Sequence, residues 1–346
     1  MFIRWFGVLL IGFAAQCAGQ KPVVWVLSTG GTIAGQGATS TSLTQYKGSV
    51  VSGAELVKAV PEIAQIAEVR VEQIANVGSP NITLAHWLTL ANRINRIFSE
   101  DPGTAGVVIT HGTNTMEETA YFLSLTVKHD RPVVLVGSMR PGNAISADGP
   151  LNLLNAVRMA AAAEARGKGV MVVLNDEIHA AREVTKTNTL RVETFRSPDF
   201  GYLGYVDGDK ISFYRAPVRR HTTRSEFDVS GLKELPAVEI VYSYVQASPV
   251  MIQALAASGV KGIVVAGTGA GLMTNVERDA LAKIRGPVIV RSNHTGSGRV
   301  SARDEYDALG MIPADNLNPQ KARILLMLAL TKTTDLKEIR RIFEEY

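Results

Sequence analysis

The sequence predicts an α/β protein with a larger N-terminal domain on a doubly wound parallel sheet and a smaller C-terminal α/β domain. Short apolar runs alternate with stretches of helical periodicity, and short connections between such units imply parallel strands. This alternation breaks near residue 200 at a hairpin signal and a polar stretch, then resumes. A chain of 346 residues, at about 150 per domain, is long enough for two domains with real cores.

In chain order, Val23–Leu27 is the first strand. Ser52-Gly53-Ala54-Glu55 reads as a capping box opening a short helix. Leu84, Trp87, Leu88, Ala91, Ile94 and Ile97 repeat at helical spacing before the strand Gly106–Ile109. Thr115-Met116-Glu117-Glu118 is a second capping-box pattern, predicting a helix to about Lys128. Strand Val133–Val136, a helix from Asp148-Gly149-Pro150 to about Arg166, and strand Val170–Leu174 follow. Asp207-Gly208 between Tyr202–Val206 and Ile211–Tyr214 reads as a hairpin.

Residues 215–236 are polar and irregular, the expected linker between domains at 21–214 and 237–346. The second domain reads as strand Val238–Tyr242, a helix opened by Ser248-Pro249, strand Gly262–Ala266, a helix from about Asn275, and strand Val288–Val290. Asn318-Pro319 and Asp335 open the last helices.

Residues 1–20 read as a secretion signal, with Arg4 as the positive start, Trp5–Ala15 as the apolar stretch and small residues around Ala18-Gly19 for cleavage. A lipoprotein reading at Cys17 competes, although Gln16 stands where a small residue is expected. Cys17 is the only cysteine, so a processed chain has no disulfide. Net charge is +4 without long basic runs, and the densest cluster, Arg219-Arg220-His221, reads as solvated linker rather than a nucleic-acid surface.

The chemistry concentrates where two strands meet glycine-bracketed threonines. Val23–Leu27 leads to Thr29-Gly30-Gly31-Thr32-Ile33-Ala34-Gly35, and Gly106–Ile109 leads to Thr110-His111-Gly112-Thr113-Asn114-Thr115. Open α/β sheets bind ligands beyond the carboxyl ends of their strands. Glycines there admit a substrate to the backbone and leave amides for an oxyanion. Taken locally, Thr32 is a nucleophile candidate or a turn residue, Tyr46 a helper or a surface tyrosine, and Lys186 a base or a solvated lysine.

The two glycine–threonine segments resemble the signatures of bacterial type II L-asparaginases and glutaminase-asparaginases. The likeness continues through Ser146-Ala147-Asp148-Gly149-Pro150, Val184-Thr185-Lys186-Thr187-Asn188 and Leu317-Asn318-Pro319-Gln320-Lys321-Ala322-Arg323, over roughly residues 21–346. The resemblance implies an exported, periplasmic amidohydrolase that converts L-asparagine, with L-glutamine open as a second substrate, through an acyl-enzyme on Thr32. It implies that Tyr46, on a mobile loop, assists Thr32. Thr113 and Lys186 then activate the nucleophile or the water, and which group is the first base stays open. Ser79 matches a serine that holds the substrate carboxylate. Glu305, with Asp304 as its nearest competitor, matches a carboxylate reaching a neighbouring subunit's site. A homotetramer with shared sites follows from the same likeness.

Three positions depart from that pattern. Asn114 stands where the family has an aspartate for the substrate ammonium; asparagine keeps the shape and an acceptor but loses the charge. Losing one partner of a buried charge pair costs about 2–5 kcal/mol. Pro80 replaces a polar substrate-contacting side chain, and Leu272 stands where a polar residue arrives from the partner subunit. Altered substrate preference, or a disabled enzyme that only binds an amino acid, are therefore the competing readings. No cofactor is expected: Gly267-Thr268-Gly269-Ala270-Gly271 has the wrong spacing for a dinucleotide turn. Thr29–Gly35 lacks a phosphate-loop ending, and the six histidines have no metal-ligand spacing.

Overall fold

The computed structural model describes residues 20–346; the signal reading and Cys17 fall on 1–19, outside the described residues. The first sheet is built from Val23–Ser28 (β1), Glu68–Gln73 (β2), Thr104–Thr110 (β3), Val133–Val136 (β4), Val170–Leu174 (β5), Glu177–Ala180 (β6), Gly204–Val206 (β7) and Ile211–Phe213 (β8). Its eight strands lie in the order β8-β7-β6-β5-β4-β3-β1-β2. The first five strands in sequence are parallel neighbours. Strand order reverses between β1 and β3, opening a crevice beyond their carboxyl ends, the place where doubly wound sheets bind ligands. Ser28 pairs with Thr110 across this point, and the Thr29 N–H donates to the Thr110 carbonyl at 3.0 Å. The remaining strands, β6 to β8, extend the sheet antiparallel.

The second sheet runs β9 (Val238–Tyr242), β10 (Gly262–Gly267), β11 (Val288–Asn293) and β12 (Ile312–Pro313), all parallel and in sequential order. Each of these strands is short and rich in β-branched residues, as a sheet covered on both faces requires.

Helices cover both sheets. On one face of the first lie Gly53–Lys58 (α1), Ile63–Ile66 (α2) and, after Leu84–Glu100 (α3) and Met116–Thr126 (α4) on the other face, Gly149–Ala161 (α5). Val250–Ser258 (α6), Asn275–Lys283 (α7) and the single turn Asp304–Asp307 (α8) flank one side of the second sheet; Pro319–Leu330 (α9) and Leu336–Glu345 (α10) flank the other. A single apolar core joins α3, α4, α9 and α10 with one face of each sheet. Helix α4 is buried almost all round, including Tyr121, Phe122, Leu123 and Leu125. Full burial of such a side chain contributes about 1.5–3 kcal/mol. The loop that precedes α4 is therefore mounted on a helix held on nearly every side by the core.

Several sequence expectations are corrected. Ser52 forms the expected capping box with Glu55, but Thr115 forms none with Glu118; its hydroxyl instead donates to the Ser79 carbonyl at 2.8 Å. Helix α4 stops at Thr126 and α5 at Ala161, the latter followed by a 3-10 turn at Ala163–Ala165. Helix α6 opens at the expected Ser248-Pro249 step, with Pro249 as its N-cap. Residues 215–236 are not a solvated linker: Phe227, Val229 and Leu235 are buried, and a 3-10 turn forms at Thr222–Arg224. The basic cluster is docked as well, with Arg219 on Asp315 at 2.9 Å, Arg220 on Glu345 at 2.5 Å, and His221 buried.

Candidate active site

Glycine lets the two threonine loops touch. Gly31 has φ +88°, and a Cβ there would sit 2.3 Å from the Gly112 Cα, so only glycine fits. A Cβ on Gly112 would in turn lie 2.8 Å from Ser79 Oγ. The Gly31 N–H donates to Ser49 Oγ at 2.8 Å and the Asn114 N–H to Ser79 Oγ at 3.1 Å. Those amides are occupied, which narrows the expected oxyanion donors. The Thr32 and Thr113 N–H groups have no acceptor among the described residues.

Thr32 opens the 3-10 turn Thr32–Ala34, and its Oγ1 lies 2.9 Å from Tyr46 Oη. Tyr46 sits on a two-residue ribbon paired with Gln36–Gly37. That strap is pinned by the Asn143 side chain, which accepts from the Gly37 N–H at 2.8 Å and donates to its carbonyl at 2.7 Å. On the other loop, Lys186 Nζ donates to Thr113 Oγ1 and to Asn114 Oδ1, both at 2.8 Å. Half-burial holds the Lys186 amine below its ordinary pKa, partly offset by the Glu117 carboxylate. An open cavity of about 490 Å³ is lined by Asn114, Lys186, Asn188 and Gln320 among others; Thr32 and Tyr46 lie beyond this lining.

Thus Thr32 with Tyr46, and Thr113 with Lys186 and Asn114, form two hydrogen-bonded groups joined by the Gly31–Gly112 contact. Ser79 is buried beneath them, while Pro80 is exposed and offers no polar group. Glu305 does not join them within the chain. It lies on α8, exposed, 3.2 Å from Arg303 and 3.6 Å from Arg278; Asp304 opens the same turn. Leu272 is bound to Thr268 in a tight turn, each N–H donating to the other's carbonyl at 2.8 Å. The buried guanidinium of Arg291 donates to the Gly271 and Ser301 carbonyls, tying together the segments that carry Leu272 and Glu305.

Sequence reasoning passed over two buried groups. Glu117, within α4, accepts from Thr185 Oγ1, the Lys186 N–H, Asn318 and Gln320. An acidic residue in the first turn of an apolar helix was the available signal. His111, fully buried, donates from Nδ1 to the Gly112 carbonyl at 2.7 Å and accepts at Nε2 from Thr119 Oγ1 at 3.0 Å. A carbonyl can only accept, so Nδ1 carries the proton of the neutral ring and Nε2 is left to accept; Trp87 Nε1 donates to the same Thr119 oxygen at 2.8 Å.

Burial depresses the His111 pKa from 6.5 to about 4. Between those values the unfolded chain binds the proton and the folded one does not, so stability falls as pH drops. The expected loss is about 3 kcal/mol by pH 4. Urea midpoints across this window in the protein and in His111→Gln check it; an equal pH slope in both would rule out His111 as a source.

A polar cluster at the switch point of a doubly wound sheet, with a second α/β domain behind it, defines a two-domain α/β enzyme. Residues 23–219 match the family model for the asparaginase N-terminal domain, and residues 237–343 match that for the glutaminase/asparaginase C-terminal domain. The chain belongs to the asparaginase family, a group of hydrolases. It is 50% identical to L-asparaginase 2 of Bacillus subtilis, over 94% of this chain and 87% of that protein. It is 47% identical to the glutaminase-asparaginase of Pseudomonas fluorescens biotype A, over 93% of this chain and 90% of that one. A crystal structure of a probable cytoplasmic L-asparaginase from Campylobacter jejuni superposes with a TM-score of 0.92 at 50% identity, covering 94% of this chain and all of that one.

Proposed function

We propose that the protein hydrolyses L-asparagine to L-aspartate and ammonia, with L-glutamine as a candidate second substrate. Thr32 Oγ1 attacks the side-chain amide carbon, and the Thr32 and Thr113 amides face the developing oxyanion. Ammonia leaves, and water then releases aspartate from the acyl-enzyme. Tyr46 and the Thr113–Lys186 pair move the protons, since a free hydroxyl is a weak nucleophile without such help. The observation that carries this reading is the Lys186–Thr113 bond at 2.8 Å, mounted beside the Thr32–Tyr46 pair by a contact only glycine permits.

Ser79, Asn114 and Glu305 are proposed to bind substrate, the last from a neighbouring subunit of a homotetramer, with Pro80 and Leu272 reducing polarity around it. Glu305 is exposed and pairs within its own chain with Arg278 and Arg303, not with Thr32 or Tyr46, which supports that assignment. The division into residues 21–214 and 237–346 with an intervening connector, and export on residues 1–20, belong to the same proposal. Ammonia release from L-asparagine and L-glutamine by the purified protein tests the activity. Binding of asparagine by calorimetry without any release would favour an amino-acid-binding protein instead.

A further inference from the structure

Glu117 takes no part in the steps above, yet it is the most heavily bonded carboxylate beside them. Its side chain is buried, and four donors surround it: Thr185 Oγ1 at 2.8 Å and the Lys186 N–H at 2.6 Å on Oε2, Asn318 Nδ2 at 2.9 Å and Gln320 Nε2 at 2.8 Å on Oε1. The two oxygens therefore serve two parts of the chain. One holds the two-residue strand Thr185–Lys186, which pairs with Phe195–Arg196; the other holds the start of α9, which belongs to the C-terminal half of the molecule. The donor roles are fixed. A backbone N–H can only donate, and Asn318 Oδ1 is already occupied by the Lys321 N–H at 3.0 Å, which turns its amide nitrogen toward Glu117. Four donors on its two oxygens fix the side chain in place.

We propose that Glu117 is a positioning residue for the reaction: its carboxylate fixes the Lys186 backbone relative to Thr113 and makes the start of α9 part of the active-site frame. This inference rests on the proposed role of Lys186. It acts through geometry, because a displacement of about 1 Å at a reacting group can cost about a hundredfold in rate. It also acts through charge, because the Glu117 carboxylate opposes the burial that depresses the Lys186 amine. The other charged groups on the elements packed here are Glu118 on α4, Lys321 and Arg323 on α9, and Arg196 on the strand paired with Thr185–Lys186, which turns to Glu177; none of them bonds to the Lys186 amine.

The test compares Glu117→Gln, Glu117→Asp and Lys186→Met with the parent for kcat, KM, the pH dependence of kcat and the unfolding temperature. Glutamine keeps the reach but removes the charge. The expected result is a fall in kcat of about tenfold to a hundredfold, a KM within about threefold of the parent's, and an acid limb displaced to lower pH. The sign follows from the amine: without the nearby anion it gives up its proton at lower pH. Aspartate keeps the charge but is too short to hold both donor sets, so kcat falls while the acid limb stays at the parent's position.

Parental kcat and pH profile in Glu117→Gln, with Lys186→Met inactive, would overturn this inference alone. An equal fall in both Glu117 variants without any displacement of the limb would assign Glu117 to folding and overturn it as well. Parental turnover in Lys186→Met would overturn the site reading and the inference with it. If Glu117→Gln does not fold, Gln320→Ala removes one Oε1 donor. A several-fold fall in its kcat supports the proposal, and an unchanged kcat contradicts it.

Discussion

Thr32→Ala is expected to lower kcat for L-asparagine by at least about a thousandfold while leaving the fold and the unfolding temperature near the parent's. The threonine is half-buried at the head of a one-turn 3-10 helix, its hydroxyl bonded to Tyr46 and its methyl contributing little to the core. Removing Oγ1 deletes the attacking atom without touching the Gly31–Gly112 contact or the Lys186–Thr113 pair. Substrate affinity, measured by calorimetry on the variant, should therefore survive. Steady-state ammonia release beside that titration separates the two effects. Residual turnover within about tenfold of the parent would place the nucleophile elsewhere.

The second large effect is expected at Asn114. Its Oδ1 already accepts from Lys186 Nζ at 2.8 Å, so aspartate fits the same space and adds a charge. Two consequences follow with opposite bearings on rate. A carboxylate beside a substrate ammonium strengthens binding; at this exposed position the lower end of the range for a charge pair, about 2 kcal/mol, or about thirtyfold in KM, is the expectation. The same carboxylate stabilises the protonated Lys186, so the acid limb of the kcat profile moves to higher pH. Asn114→Asp assayed across pH reads both. A parental KM would show that Asn114 does not face the substrate ammonium, and an unmoved acid limb would show that Lys186 does not control it.

The parts of this site that are legible in sequence are those set by local constraint. β1 and β3 are apolar runs that end in glycine and threonine, and any parallel sheet delivers such ends to a ligand-binding edge. Their adjacency across the strand-order reversal makes Thr32 and Thr113 neighbours although 81 residues separate the preceding Thr29 and Thr110. What is not legible depends on partners distant in sequence. Glu117 reads as an ordinary first-turn acid on α4, because its donors Asn318 and Gln320 lie 201 and 203 residues away. The connector at 215–236 reads as solvated because Arg219 and Arg220 find Asp315 and Glu345 at separations of 96 and 125 residues. Strand β6 escapes notice since Glu177 and His179 interrupt its apolar pattern; Glu177 pairs with Arg196 at 3.3 Å and His179 Nδ1 bonds Ser197 Oγ at 3.0 Å, contacts that the strand's own sequence does not announce. Thr115 illustrates the converse error: the capping pattern is present in sequence, but the hydroxyl is turned to donate to the Ser79 carbonyl and accepts no cap bond.

The central claim is the covalent step on Thr32, and mass spectrometry of acid-quenched enzyme during turnover of L-asparagine tests it most directly. The account predicts a peptide containing Thr32 that carries one aspartyl group, formed with ammonia release and absent from Thr32→Ala. An aspartyl group on another residue, or turnover with no covalent aspartyl on any peptide at any quench time, would contradict it.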